Sequence, residues 1–121
     1  MKEIKSGPLG EEYAANYLLK KGYKICERNF QCRTGEIDII AMDKSCLVFT
    51  EVKTRKSDIC GRPAEFVTAK KQEKLRKAAF TYINNINEDE PEMRFDVIEV
   101  FYEIYRGEFF IRKVNHIENA F

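Results

Sequence analysis

"GEIDIIAMDKSCLVFTEVKTR", Gly35 to Arg55, holds two apolar runs on either side of a polar turn, and Asp38, Glu51 and Lys53 interrupt those runs. Ile, Val, Phe and Thr dominate both runs, which reads as two β-strands joined through "DKSC". Side chains two apart on a strand share a face, so Glu51 and Lys53 go with Phe49, while Val48, Thr50 and Val52 take the other side. If the turn is even in length and centred between Lys44 and Ser45, Asp38 stands opposite Glu51, Glu36 opposite Lys53 and Ile40 opposite Phe49. The apolar match of Ile40 with Phe49 supports that register independently of the charges. An odd-length turn would break it.

Like charges directly opposed on neighbouring strands are destabilising, so something cationic should offset Asp38 and Glu51. Two carboxylates converging on one point suit Mg²⁺, a hard ion that takes oxygen ligands, keeps several waters and commonly binds phosphate as well. Such an ion lowers the pKa of water and polarises a phosphoryl oxygen. Lys53, one pleat from Glu51, is placed to orient a water or to stabilise charge on a phosphate. The competing reading is a plain surface ion pair between Glu51 and Lys53, worth about 0.2–1 kcal/mol. Asp38 at the matched register position, together with Glu11, weighs toward the metal site.

Glu11 lies in "LGEEYAANYLLKKG", an amphipathic helix opened near Gly7 and Pro8 and ended by Gly22. At helical spacing Glu12 falls with Asn16 and Lys20 on the polar face, while Glu11 falls beside Leu18 and between Ala14 and Ala15. "YKICERNFQ" reads as a further strand. "RKSDICGRPAEF" reads as a loop long enough to form a flap. Thr68 caps a second helix that runs to about Asn84, with Leu75, Ala78, Ala79, Tyr82 and Ile83 on one face. "NINEDEPE" is a surface loop, and "RFDVIEVFYE" and "EFFIRKVN" are two closing strands joined at Arg106 and Gly107. The order α-β-β-β-α-β-β predicts an α/β sandwich with a central mixed sheet flanked by helices.

At 121 residues the chain suits a single domain spanning 1–121. Its 44% hydrophobic and 34% charged content suits a soluble protein. No apolar run approaches the roughly 18 residues that a membrane span needs. No apolar segment follows the N-terminal lysines, so a cytoplasmic address is expected. Cys26, Cys32, Cys46 and Cys60 are scattered without a CxxC pair, which argues against zinc and for reduced thiols. A net charge of +1 hides basic segments, "KTRK" and "AKKQEKLRK", and an acidic one, "NEDEPE".

"GEIDIIA" followed by "LVFTEVKTR" resembles the bacterial YraN family, an endonuclease-like group. The resemblance extends through "GEEYAANYLLKKGY", "RNFQCRTGEID", "PAEFVTAKKQEKLRKAA", "RFDV" and the ending "HIENAF", and so covers nearly the whole chain. More distantly the chain is similar to archaeal Holliday junction resolvases and the PD-(D/E)XK nuclease superfamily, which implies a restriction endonuclease-like fold. The resemblance implies that Asp38 and Glu51 bind a divalent ion, Mg²⁺ or Mn²⁺ in its place, and that Lys53 assists. It gives Glu11 the place of a first-helix glutamate that contributes a ligand directly or through water. It puts Gln72 near the scissile phosphate. Ile37 stands where the superfamily motif carries proline, a variable position. DNA, branched DNA included, is the implied partner, and a homodimer the implied assembly, since a junction is cut at two symmetric places.

Arg28, Arg33 and Arg55 flank this presumed site as candidate phosphate clamps. Lys70, Lys74 and Lys77 recur at helical spacing on the second helix and, with Arg76, suit a phosphate backbone or simply form the solvated face; Lys70, Lys71 and Lys74 are the candidate backbone contacts. His116 and Asp96 read as structural. The expected activity is metal-dependent hydrolysis of phosphodiester bonds in structured or branched DNA. The alternatives are a non-cleaving nucleic-acid-binding module with the nuclease fold, in a repair or recombination assembly, and an adaptor that docks a partner through the apolar C-terminal "NAF".

Overall fold

The computed structural model describes residues 4–59, 67–86 and 91–121. Helix α1 (Ser6–Lys20) leads into β1 (Lys24–Cys32), β2 (Gly35–Asp43) and β3 (Cys46–Lys56). A single 3-10 turn (Ser57–Ile59) follows, then α2 (Ala69–Ile86), β4 (Glu92–Tyr105) and β5 (Glu108–Ile117). The expected element order and the α/β sandwich are both present. The expected loop around Gly61 and Pro63, with Cys60, and the stretch 87–90 lie outside the described residues.

The five strands form one sheet in the order β1-β2-β3-β4-β5. Every neighbouring pair is antiparallel except β3 and β4, which run parallel. A parallel pair needs a crossover, and the segment carrying α2 supplies it. Lys44, with φ of 56°, makes the two-residue turn of the β2–β3 hairpin, and Arg106 and Gly107, at φ of 51° and 76°, make that of β4–β5. Left-handed backbone at such positions matches the twist of the flanking strands.

Each sheet face buries one helix. Leu47 and Phe49 of β3 and Phe95 and Val97 of β4 pack with Leu75, Ala78, Ala79, Tyr82 and Ile83 of α2. Val48, Val52, Ile98 and Val100 pack with Ala14, Ala15 and Leu18 of α1 on the opposite side. Burial on both faces explains why β3 and β4 are nearly continuous apolar runs. Helix α1 ends in a Schellman motif: Gly22 N–H donates to Leu19 at 3.0 Å and Tyr23 N–H to Leu18 at 3.0 Å. Gly22 holds the φ of 92° that this requires.

The Asp96 carboxylate is fully buried and fully engaged. It accepts from Arg94 Nε at 3.0 Å, pairs with His116 Nε2 at 2.8 Å and accepts the Asn119 N–H at 2.9 Å. Burial alone would raise its pKa, but His116 and Arg94 outweigh that and hold it below the usual carboxylate range. Lys21 Nζ lies 3.1 Å from His116 Nδ1 and is a donor only, so the ring accepts there and donates to Asp96. Arg94 also reaches the Tyr23 hydroxyl at 2.6 Å, and burial pushes the Tyr23 phenol up to about 12. Both Asp96 and His116 thus have the structural surroundings expected of them.

The C-terminal "NAF" does not stand free as an adaptor tail would. Ala120 N–H donates to the Phe95 carbonyl at 2.7 Å, and the Phe121 ring stacks on Phe95 at 5.1 Å. Among the described residues no helix is long and apolar enough to cross a membrane. Cys32 and Cys46 stand as thiols.

Candidate active site

The β2–β3 ladder runs from Asp43↔Cys46 to Ile39↔Thr50, the register expected of an even turn, and stops there. Strand β3 continues to Lys56 with its other edge paired to β4 throughout. Its β2-side edge is therefore open from Glu51 onward, and the expected ladder pairs of Asp38 with Glu51 and Glu36 with Lys53 do not form. The β1–β2 ladder keeps its register at the same level, with its register shift further along between Ile25 and Glu27, but Asn29 and Asp38 are not paired. It passes from Arg28↔Ile39 to Phe30↔Ile37, and the skipped Asn29 has φ of 53°.

The backbone turns at Asp38. Regular alternation would put Ile37 and Ile39 on one face, yet Ile37 joins the α2-side cluster and Ile39 the α1-side cluster. The Asp38 carboxylate enters the gap, and its Oδ2 accepts the Val52 N–H at 2.8 Å. A side-chain oxygen thus satisfies a donor that a continued ladder would have paired with backbone.

Glu51 lies on the α2 side with Phe49, its side chain only 9% exposed. Lys53 Nζ is 3.8 Å from Glu51 Oε1, and Lys71 Nζ is 3.6 Å from the same oxygen. The start of α2 holds Lys71 there. Thr68 Oγ1 accepts the Lys71 N–H at 3.2 Å, so Thr68 is the expected N-cap. Gln72 Nε2 donates to the Val67 carbonyl at 2.9 Å, which tethers that side chain to the helix entry.

Glu11 approaches from the α1 side. A Cβ at Gly10 would run into the Thr54 side chain, so the absence of one lets α1 lie directly on β3. Glu11 then sits, partly buried, within the field of Asp38. Burial raises its pKa, the Asp38 and Glu36 charges raise it further, and Arg28 opposes them. Burial also raises the Asp38 pKa, with Glu36 adding to it and the Val52 N–H, Lys71 and Lys53 pulling it down. Glu51 is raised by burial and then by Asp38, against Lys71 and Lys53. The Asp38 charge therefore acts on Glu11 from the α1 side and on Glu51 on the α2 side, near the open edge of β3. Among the described residues, no three His, Cys, Asp or Glu side chains are grouped closely enough to hold a metal ion.

The other expected residues are spread more widely. Arg28 pairs with Glu12 at 2.7 Å. Arg33 is exposed in the β1–β2 turn, and Lys70 and Lys74 are exposed on α2. Arg55 is only 14% exposed and donates from Nε to Glu99 at 3.1 Å, while Asn115 donates to the other Glu99 oxygen at 2.9 Å. Lys71, a candidate backbone contact by sequence, instead reaches Glu51, a contact that the spacing of the lysines does not reveal. The available signal was its position three residues after a capping Thr, which sets its direction apart from that of Lys70. Strand register alone gives Glu36 only as a partner for Lys53, whereas in the fold its charge raises the pKa of both Asp38 and Glu11.

The family model described as "Uncharacterised protein family UPF0102" matches residues 10–100. A UPF0102 protein of Caldanaerobacter subterraneus subsp. tengcongensis is 50% identical over 115 residues, covering 95% of this chain and 93% of its own. A UPF0102 protein of Alkaliphilus oremlandii is 46% identical over 119 residues, 97% of each chain. One of Thermodesulfovibrio yellowstonii is 46% identical over 121 residues, covering 100% of this chain and 99% of its own. With full-length likeness of that order and a model match that takes in Glu11, Asp38, Glu51, Lys53 and Lys71, the chain belongs to the UPF0102 (YraN) family.

Proposed function

We propose that this protein is a divalent-metal-dependent endonuclease that hydrolyses phosphodiester bonds in structured or branched DNA. One observation carries the reading. The β2–β3 ladder ends early at Thr50, the Asp38 carboxylate enters the gap and its charge raises the Glu51 pKa, and two ammonium groups stand within 3.8 Å of Glu51 Oε1.

The donor set fits Mg²⁺ or Mn²⁺. Both accept carboxylate oxygens and retain waters, so a site of two carboxylates, with Glu11 acting directly or through water, does not need a closed cage. The ion pairs of Lys53 and Lys71 with Glu51 Oε1 support the reading that positive charge is favourable there. When bound, the ion would supply Lewis acidity toward water and the phosphoryl oxygen. The chain's own residues do the rest. Asp38, oriented by the Val52 N–H, and Glu51, carried by β3, would hold the ion. Lys53 offsets negative charge as it builds on the phosphate, in a half-buried setting where such stabilisation is strong. Exposed Lys70 and Lys74 and the turn residue Arg33 are suited to steer the DNA backbone.

A second reading, a non-cleaving DNA-binding module, draws on the same lysines, since ammonium groups that already neutralise Glu51 also suit phosphate contact. Incubation with Mg²⁺ or Mn²⁺ and labelled duplex, single-stranded, flapped and four-way junction DNA separates the two. Chelator-sensitive cleavage of the branched forms supports hydrolysis. Retarded mobility without cutting supports the module.

A further inference from the structure

We infer that Lys71 is the resident counter-ion of this site, standing beside Glu51 until a divalent cation displaces it, and is not one more member of the basic stripe on α2. The inference rests on the metal-site reading above and adds a residue and an exchange to it.

In sequence, Lys70, Lys71 and Lys74 are alike. The fold separates them. Capped by Thr68, the first turn of α2 aims Lys71 across the sheet face to within 3.6 Å of Glu51 Oε1. Among the described residues, neither Lys70 nor Lys74 pairs with an acid, and both are exposed. Glu51 is mostly buried beside Asp38, and a buried carboxylate next to another needs nearby positive charge to remain ionised.

Lys53 and Lys71 both provide that charge, but they are not equally free to leave. Lys53 is carried by the same strand as Glu51, two residues on, with its side chain 36% exposed. Lys71 belongs to a different element and is 46% exposed. Its ammonium is a compact point charge on a flexible four-carbon stem, without the fixed fork that would lock an arginine in place. A doubly charged ion at Asp38 and Glu51 would remove the reason for Lys71 to stay and repel it toward solvent, the side from which a DNA phosphate arrives. Cation binding and the Lys71–Glu51 contact are then mutually exclusive, so removing one must strengthen the other.

The test is calorimetric titration of the full chain with MnCl₂, comparing wild type with Lys71→Met, Lys70→Met, Glu51→Gln and the Glu51→Gln/Lys71→Met double variant. Methionine keeps the apolar stem and removes the charge. Lys71→Met should tighten Mn²⁺ binding roughly threefold to tenfold, the scale of one partly exposed charge near the ion, and Lys70→Met should change it less than about twofold. In the Glu51→Gln background the Lys71 effect should vanish. Unchanged or weaker Mn²⁺ binding by Lys71→Met, or equal tightening by Lys70→Met, overturns the inference while leaving the metal site standing. Absence of Mn²⁺ binding by wild type and Lys71→Met alike overturns the metal-site reading, and the inference with it.

Discussion

The Asp38 carboxylate bonds to the Val52 backbone N–H at 2.8 Å in the space where the β2–β3 ladder has ended. One side chain thus closes a gap in the sheet and faces the candidate cation site. Its two roles are separable by substitution. Asp38→Asn retains an acceptor for Val52, so its melting temperature should stay near that of wild type, while cleavage falls by about 10²-fold or more, the scale of a lost electrostatic contact in an active site. Asp38→Ala should lose both, with melting lowered further by the unpaired amide, at a cost of about 1–3 kcal/mol.

Glu51 predicts a trade between stability and activity. Its folded pKa is raised, first by burial and then by Asp38, so the folded chain holds that proton more tightly than the unfolded chain does. Stability from this group is therefore present below the unfolded value, about 4.3, and is lost as pH rises through the folded pKa. Glu51→Gln removes that loss. Thermal melts at neutral pH should show the variant at least as stable as wild type, and the difference should disappear in acid.

Asp96 has the opposite sign. Its folded pKa is depressed because the hydrogen bonds from His116 and Arg94 outweigh the effect of burial. Its contribution is present above the unfolded value, about 3.9, and is lost as pH falls through the folded pKa. Asp96→Ala leaves Arg94 without its buried partner and should destabilise the chain by about 3–5 kcal/mol at neutral pH. Denaturant titrations at neutral and acid pH should show the gap to wild type narrowing in acid.

Gly10 couples packing to the site. A methyl group there meets Thr54, so Gly10→Ala should lift α1 from β3 and cost about 1–3 kcal/mol. Glu11 is the next residue, so cleavage should fall by more than the loss of folded protein explains. Comparing single-turnover rates with folded fractions checks this.

Much of this arrangement was legible in the sequence, because the β2–β3 hairpin is local. An even turn at Lys44 and Ser45 sets the register, and the match of Ile40 with Phe49 is enough to find it. The helix stop at Gly22, the cap at Thr68 and the turn at Arg106 and Gly107 follow from equally short-range chemistry. What was not legible depends on distant partners. Alternation cannot show that the strand turns at Asp38, because the N–H its carboxylate accepts belongs to Val52 of another strand. The burial of Arg55 against Glu99 depends on the parallel register of β3 and β4 and on Asn115 from β5. Phe121 looked like a free apolar end because its partner, Phe95, belongs to a strand far back in the chain.

Lys53 isolates chemistry from metal capture. Lys53→Met should leave Mn²⁺ binding no weaker than in wild type, since it removes a like charge near the ion, while cleavage falls by about 10²–10³-fold. Calorimetry beside a single-turnover assay reads the two effects separately. Loss of metal binding in this variant would show that the lysine shapes the site and does not serve the reaction.

The most direct measurement is single-turnover cleavage of an end-labelled four-way junction in Mn²⁺, by wild type and by Asp38→Asn shown to be folded. The account predicts cuts by wild type that a chelator abolishes, and a rate for Asp38→Asn lower by about 10²-fold or more. Equal rates for the two proteins, or cutting that survives the chelator, would contradict it.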